Sequence, residues 1–132
     1  MKKVLQLAFA IWLGLMCSIL PSHAKTRSQI SFTGKASYYG GLHHGKKTAN
    51  GERFDMYGFS AAHRKLPFGT QLKVTNLTNG KSVIVRVNDR GPFHPGRILD
   101  VSQGAARQLG MVKQGTAMVS VNVLPKTKLT EY

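Results

Sequence analysis

The sequence predicts a small, mainly β barrel, and three observations carry that reading. Short apolar stretches with period-two alternation recur along the chain, Gly- and Pro-rich turns separate them, and one short segment is patterned as a helix. The clearest element is a hairpin. Gln71 to Leu77 and Lys81 to Val87 flank Thr78-Asn79-Gly80, with Gly where a tight turn wants a positive φ. In the second arm Val83, Val85 and Val87 share one face.

In chain order, Lys2 and Lys3 precede an apolar run from Val4 to Leu20 that contains Trp12, and Pro21 then breaks it. Ser22-His23-Ala24 supplies the small-x-small pattern of a cleavage point, so residues 1–24 are expected to be a secretory signal peptide. A retained span needs roughly 17–25 apolar residues. The run barely reaches that length and a cleavage pattern follows at once, so no stable membrane span is expected to remain. Lipid attachment at Cys17 would need a small residue before it, and Met16 is not small. Export to the periplasm or cell envelope follows, with lipoprotein anchoring as the less favoured alternative. Residues 25–132 contain no cysteine and suit one small domain, expected to act as a monomer.

Charge narrows the partner. The chain has 19 Lys and Arg against 5 Asp and Glu. Without Lys2 and Lys3, seventeen basic residues face five acidic ones, a net +12. That sign points to an anionic partner without naming it. For an exported protein of bacterial type, acidic cell-wall polymer is the abundant candidate. A nucleic-acid partner would account for the charge but for neither the export signal nor the placing of the acids.

The remaining elements read as follows. Residues 25–33 form a short leader that runs into a strand over Phe32 to Tyr39, and Gly40 to Gly51 is a loop. Glu52 to His63 is ambiguous, with a turn or short helical piece expected around Phe59 to His63. Pro67-Phe68-Gly69 is a turn before the hairpin. Arg97 to Val101 is apolar and extended. Ser102 is a good N-cap for a helix over Gln103 to Leu109, which Gly110 ends. Thr116 to Leu124 alternates as a closing strand, leaving residues 126–132 as a tail. Residues 34–125 are the expected barrel.

The acids concentrate in turns and at strand edges. Apart from Glu131, they are Glu52, Asp55, Asp89 and Asp100. Asp89 and Asp100 stand at the two ends of a loop carrying Gly91, Pro92, Pro95 and Gly96. Splitting a glycosidic bond calls for a carboxyl that donates a proton to the leaving oxygen. Ile98, Leu99 and Val101 around Asp100 favour its neutral form by desolvation, whereas Arg90 and Arg86 near Asp89 favour the ionised form. Asp89 could equally cap its loop or pair with Arg97. Glu52 and Asp55 could form a solvated turn with Arg53. His63 could be a satisfied, partly buried histidine or could tune a carboxylate. His43-His44 fits no standard metal spacing, so neither metal nor cofactor is expected. Tyr38, Tyr39, Phe68 and Phe93 could stack on sugar rings or simply pack.

Seven segments, in order, carry a family resemblance: Gly34-Lys35-Ala36-Ser37-Tyr38-Tyr39-Gly40, Thr48-Ala49-Asn50-Gly51-Glu52, Ala61-Ala62-His63, Leu66-Pro67-Phe68-Gly69-Thr70, Val74-Thr75-Asn76-Leu77, Arg86 to Phe93, and Gly96 to Ser102. Together they resemble the rare lipoprotein A family over roughly Gly34 to Leu124. The resemblance implies a six-stranded double-psi β-barrel with one or two short helices, related to expansins and barwin-like proteins. It also implies action on peptidoglycan glycan strands as an endolytic lytic transglycosylase. Such an enzyme cuts the β-1,4 bond after N-acetylmuramic acid without water and leaves a 1,6-anhydro ring. By position Asp100 matches the catalytic acid and Asp89 the second aspartate of the groove, while Glu52 and His63 fall on positions that matter for activity. Asp55, Tyr38, Tyr39, Asn50, Asn88, Arg90 and Phe93 are expected to contact the glycan. Tyr39 stands where many members have Trp. Members commonly carry a lipid-attachment cysteine and a further glycan-binding domain. The alternative function is a non-catalytic, expansin-like glycan-binding module, and a hydrolytic barrel is a third reading.

Overall fold

The structure is a computed structural model and describes residues 29–126. The expected signal segment with Cys17, and the expected tail beyond Lys126, lie outside the described residues. The strands are β1 (Ser31–Tyr38), β2 (Ser60–Ala62), β3 (Gln71–Asn76), β4 (Ser82–Asp89), β5 (Arg97–Val101) and β6 (Thr116–Val123). Among the described residues one α-helix, α1, spans Gln103–Gln108, and a single 3-10 turn occupies Gly41–His43. The six strands close a barrel in the order β1-β5-β2-β4-β3-β6, with β6 returning to β1. Pairs β1/β5 and β2/β4 are parallel and the other four antiparallel. Closure leaves no sheet edge unpaired.

Period-two alternation fills the interior. Leu72 and Val74, Val83, Val85 and Val87, Leu99 and Val101, and Val119 and Val121 turn inward and are buried. Each fully buried Val or Leu of this kind contributes about 1.5–3 kcal/mol. The β3–β4 hairpin has the expected form, with Gly80 at φ +73°. The amides of Asn76 and Asn79 both donate to the Leu109 carbonyl at 2.9 Å and tie the hairpin to the end of α1.

The region around Phe59 to His63 differs from expectation. It holds no helical piece: Ser60–Ala62 is β2, a central strand between β4 and β5. Two alanines favour a helix in isolation, but a slot with hydrogen-bonding strands on both sides outweighs that propensity. Ser102, fully buried, then links β2 to α1. Its hydroxyl accepts from Ala105 N as the helix cap and donates to the Gly58 carbonyl at 2.6 Å. Gly104 is required by the same packing, since a Cβ there would lie 2.5 Å from the Tyr57 carbonyl oxygen.

Candidate active site

Two bulges decide which side chains face outward from the barrel. On β4, Ala61 pairs with Val87 and Ala62 with Asp89, so Asn88 is the extra residue. On β5, Lys35 pairs with Arg97 and Ala36 with Leu99, so Ile98 is the extra residue. An extra residue shifts the alternation of its strand by one. Asp89 is thereby moved off the core side that Val83, Val85 and Val87 occupy, onto the side of Asp100. Arg97, three residues before Asp100, comes to the same side as it.

That outer side carries a groove of about 390 Å³, lined by Ser37, Tyr38, Tyr39, His43, Asp89, Arg90, Phe93, His94, Arg97 and Asp100, with the Gly91-Pro92 turn at its rim. Asp89 is held by three donors. Tyr39 Oη reaches Oδ2 at 2.8 Å, and the backbone N–H groups of Ala49 and Arg90 reach Oδ1 at 2.9 Å each. Burial first, and then the bond to Asp89, push the Tyr39 phenol far above its ordinary value, so it remains a donor. The Tyr39 ring packs against His43 and Phe54, at 5.4 and 5.0 Å between centroids. Asp100 accepts a hydrogen bond from Ser37 Oγ. Its Oδ2 stands 3.8 Å from Arg97 Nη2.

The surroundings of the two aspartates are thus not those the neighbouring residues suggested. The expected apolar setting of Asp100 contains a hydroxyl and a guanidinium. The arginines expected around Asp89 are directed elsewhere: Arg90 lies over the Phe68 ring at 3.8 Å and donates to the His63 and Leu66 carbonyls, while Arg86 binds Glu52. Arg97 pairs with Asp100 rather than Asp89.

Of the other expected residues, Tyr38, Tyr39, Arg90 and Phe93 line the groove, Phe93 at 79% exposure on its rim. Tyr38 donates its hydroxyl to the Val112 carbonyl at 2.9 Å. Glu52, Asp55, His63, Asn50 and Asn88 do not line it. The first of these is clamped by both terminal nitrogens of Arg86, at 2.7 and 2.6 Å, which holds its carboxyl down at about 2. Asn50 Oδ1 accepts from Glu52 N, and Asn50 N donates to the Asn88 carbonyl. The Thr48 to Glu52 turn is therefore strapped to the end of β4, beside Asp89. His63 N donates to the Asp89 carbonyl, and its Nδ1 accepts from Lys65 N and Leu66 N. Burial, then the Arg90 and Arg64 charges, lower its pKa. These residues thus meet Asp89 through the Thr48 to Glu52 turn and through its backbone. Asp55 caps a separate turn through Tyr57 N. Phe68 lines a larger apolar groove elsewhere, with Leu66, Pro67 and Leu124.

Ser37, His43, His94 and Arg97 are groove side chains that reasoning from sequence did not single out as site members. Ser37 lies in a matching segment, but nothing local marks its bond to Asp100 across two strands. Arg97 was visible only as an ion-pair candidate for the other aspartate. His43 and His44 are directed apart: the first packs on Tyr39, and the second accepts from Met56 N through Nδ1.

The sequence profile of the lytic transglycolase family matches residues 31–121. Over 94 residues the chain is 60% identical to the endolytic peptidoglycan transglycosylase RlpA of Neisseria meningitidis, covering 71% of this chain and 39% of that protein. Over 99 residues it is 54% identical to the RlpA of Vibrio cholerae, covering 75% and 38%. The chain thus spans about two-fifths of the length of these curated relatives. Among solved structures, a Clavibacter michiganensis expansin variant in complex with cellohexaose superposes with a TM-score of 0.60 at 22% identity, covering 73% of this chain and 51% of that one. At that identity the likeness concerns the fold.

Proposed function

The chain belongs to the lytic transglycolase family, and from that premise we propose that it is an exported endolytic peptidoglycan transglycosylase. It cuts the β-1,4 bond between N-acetylmuramic acid and N-acetylglucosamine without water. The observation that carries the reading is the convergence of Asp89 and Asp100 on one outer groove through the bulge at Asn88. Asp100 is the acid and then the base. It gives its proton to the leaving glycosidic oxygen as the C1–O bond breaks, then takes the proton of the C6 hydroxyl as O6 bonds to C1. The 1,6-anhydro ring closes and the carboxyl is restored, so no water is consumed. Asp89, fixed by its three donors, is the anion facing the positive charge that develops at C1. Ser37 orients Asp100, and Tyr38 and Phe93 offer faces to the sugars. The basic surface draws the protein to the acidic wall.

Mass spectrometry of sacculus digests tests this. Wild-type protein is expected to release anhydro-ended fragments from intact or peptide-stripped sacculi. Asp100→Asn is expected to lose about 10²–10⁴-fold of that activity while still sedimenting with sacculi. Reducing ends in place of anhydro ends would indicate hydrolysis. Sedimentation of wild type without any soluble product would leave the expansin-like binding module.

A further inference from the structure

One side chain, Arg64, holds the loop that forms the rim of the groove. The loop over residues 91–96 joins β4 to β5. Gly91 and Pro92 are buried, and residues 93–96 are exposed. Among the described residues, the loop's own backbone makes one hydrogen bond, from Arg97 N to the His94 carbonyl at 3.4 Å, which is long. The other ties come from Arg64. Its Nε donates to the Pro92 carbonyl, and its Nη2 donates to the carbonyls of His94 and Arg97 at 3.0 and 3.3 Å. One planar fork thus gathers three carbonyls that the loop leaves open.

The base of Arg64 is itself fixed. His63 N donates to the Asp89 carbonyl, and His63 Nδ1 accepts from Lys65 N and Leu66 N. Arg90 donates to the His63 and Leu66 carbonyls. The turn of residues 63–66 is therefore tied to the strand end that bears Asp89, and Arg64 carries that reference across to the loop. What the loop presents is Phe93. Its ring lines the groove with Asp89 and Asp100, is 79% exposed, and bends back over Gly91, with Cε2 at 3.7 Å from where a Cβ there would stand. A bare aromatic face at a groove rim suits the apolar face of a sugar ring.

Resting on the peptidoglycan reading above, we propose that Arg64 is a positioning residue for glycan binding. Through the three loop carbonyls it holds the Phe93 ring where a sugar of the strand stacks, and it touches no sugar itself. The stacking face is thereby set at a fixed place relative to Asp89 and Asp100, so a strand that stacks on it is aligned with the two carboxylates. A ring held in advance also avoids the ordering that a loose loop would undergo on binding.

Binding of peptide-free glycan strands is measured in an Asp100→Asn background with Arg64→Gln, with Phe93→Ala and with the two combined. Turnover is measured with Asp100 intact. Arg64→Gln is expected to weaken binding about tenfold and to raise KM far more than it lowers kcat. Phe93→Ala should have a similar effect, and the double variant should bind no more weakly than Phe93→Ala alone, because an absent ring cannot be misplaced. Arg64→Lys should keep part of the affinity, since an ammonium lacks the planar fork. Hydrogen exchange in Arg64→Gln should quicken at His94, Gly96 and Arg97 while the barrel strands keep their protection. Losses that multiply in the double variant overturn the proposal, as does faster exchange throughout the strands, which would mark Arg64 as a general prop of the fold. Phe93→Ala alters an exposed ring, and glycan binding unchanged by it overturns the proposal without recourse to Arg64 variants. Absence of glycan binding by the Asp100→Asn protein overturns it too. Should no anhydro ends form, the lytic reading fails, while the binding comparison still decides the role of Arg64.

Discussion

Asp89 and Asp100 stand in register with the same residue, Ala62, from its two sides. Ala62 pairs with Asp89 across the parallel β2/β4 ladder and with Asp100 across the antiparallel β2/β5 ladder. Two strand spacings separate their Cα atoms, roughly 9–10 Å. Residues in register project to one side of a sheet, so both carboxylates leave the barrel together with only a methyl group between them. The short strand that looked helical in sequence is therefore the spacer of the site.

The bulge at Asn88 sets this arrangement. Asn88→Ala keeps the extra residue and removes a side chain whose Oδ1 is buried without a partner, so it should cost no more than about 1–2 kcal/mol. Deleting Asn88 should restore strict alternation and direct Asp89 toward the core. The expected loss exceeds about 3 kcal/mol, with activity gone. Urea midpoints of the two variants check the contrast.

Tyr39 should ionise above the ordinary phenol range. Burial and the Asp89 carboxylate raise it well above the ordinary value of about 10. In an absorbance titration it should stay protonated past that point while the fold holds. Asp89→Asn should bring the midpoint down part of the way, because burial, the larger cause, is left in place.

Glu52 contributes stability in an acid window. Its carboxyl is held at about 2 by Arg86, below the 4.5 it has when free, so the contribution is complete above about pH 4.5 and disappears as pH falls toward 2. Both partners are more than two-fifths exposed, at 42% and 43%, which limits the effect to about 1 kcal/mol. Glu52→Gln should lower Tm at pH 7 by less than about 8 °C, and the difference should vanish as pH falls through about 2.

His63 works in a different window. Its folded pKa lies below 6.5, so the unfolded chain takes up the proton first. The stability it contributes is complete above about pH 6.5 and is lost as pH falls through the folded value. The His63 ring resonances should titrate below the free-imidazole midpoint. His63→Gln, which keeps an acceptor for Lys65 N and Leu66 N, should remove that step from the stability profile.

The amino-acid sequence alone determined the strands of the hairpin, the closing strand, the Ser102 cap and the pairing of a basic chain with a few placed acids. These depend on local physics: period-two burial, a glycine at positive φ, and a hydroxyl that satisfies an open helix end. The seven family segments extended this to a double-psi barrel and to Asp89 and Asp100. Tertiary structure decided the rest. Ala61-Ala62 became a central strand because two neighbouring strands needed one between them. Glu52 and His63 are held by Arg86 and by the backbone near Leu66, partners far away in the sequence or unmarked in it. Above all, the faces of Asp89 and Arg97 were set by bulges at Asn88 and Ile98. A bulge exists only in the register of one strand against another, and no periodicity within a single strand can show it.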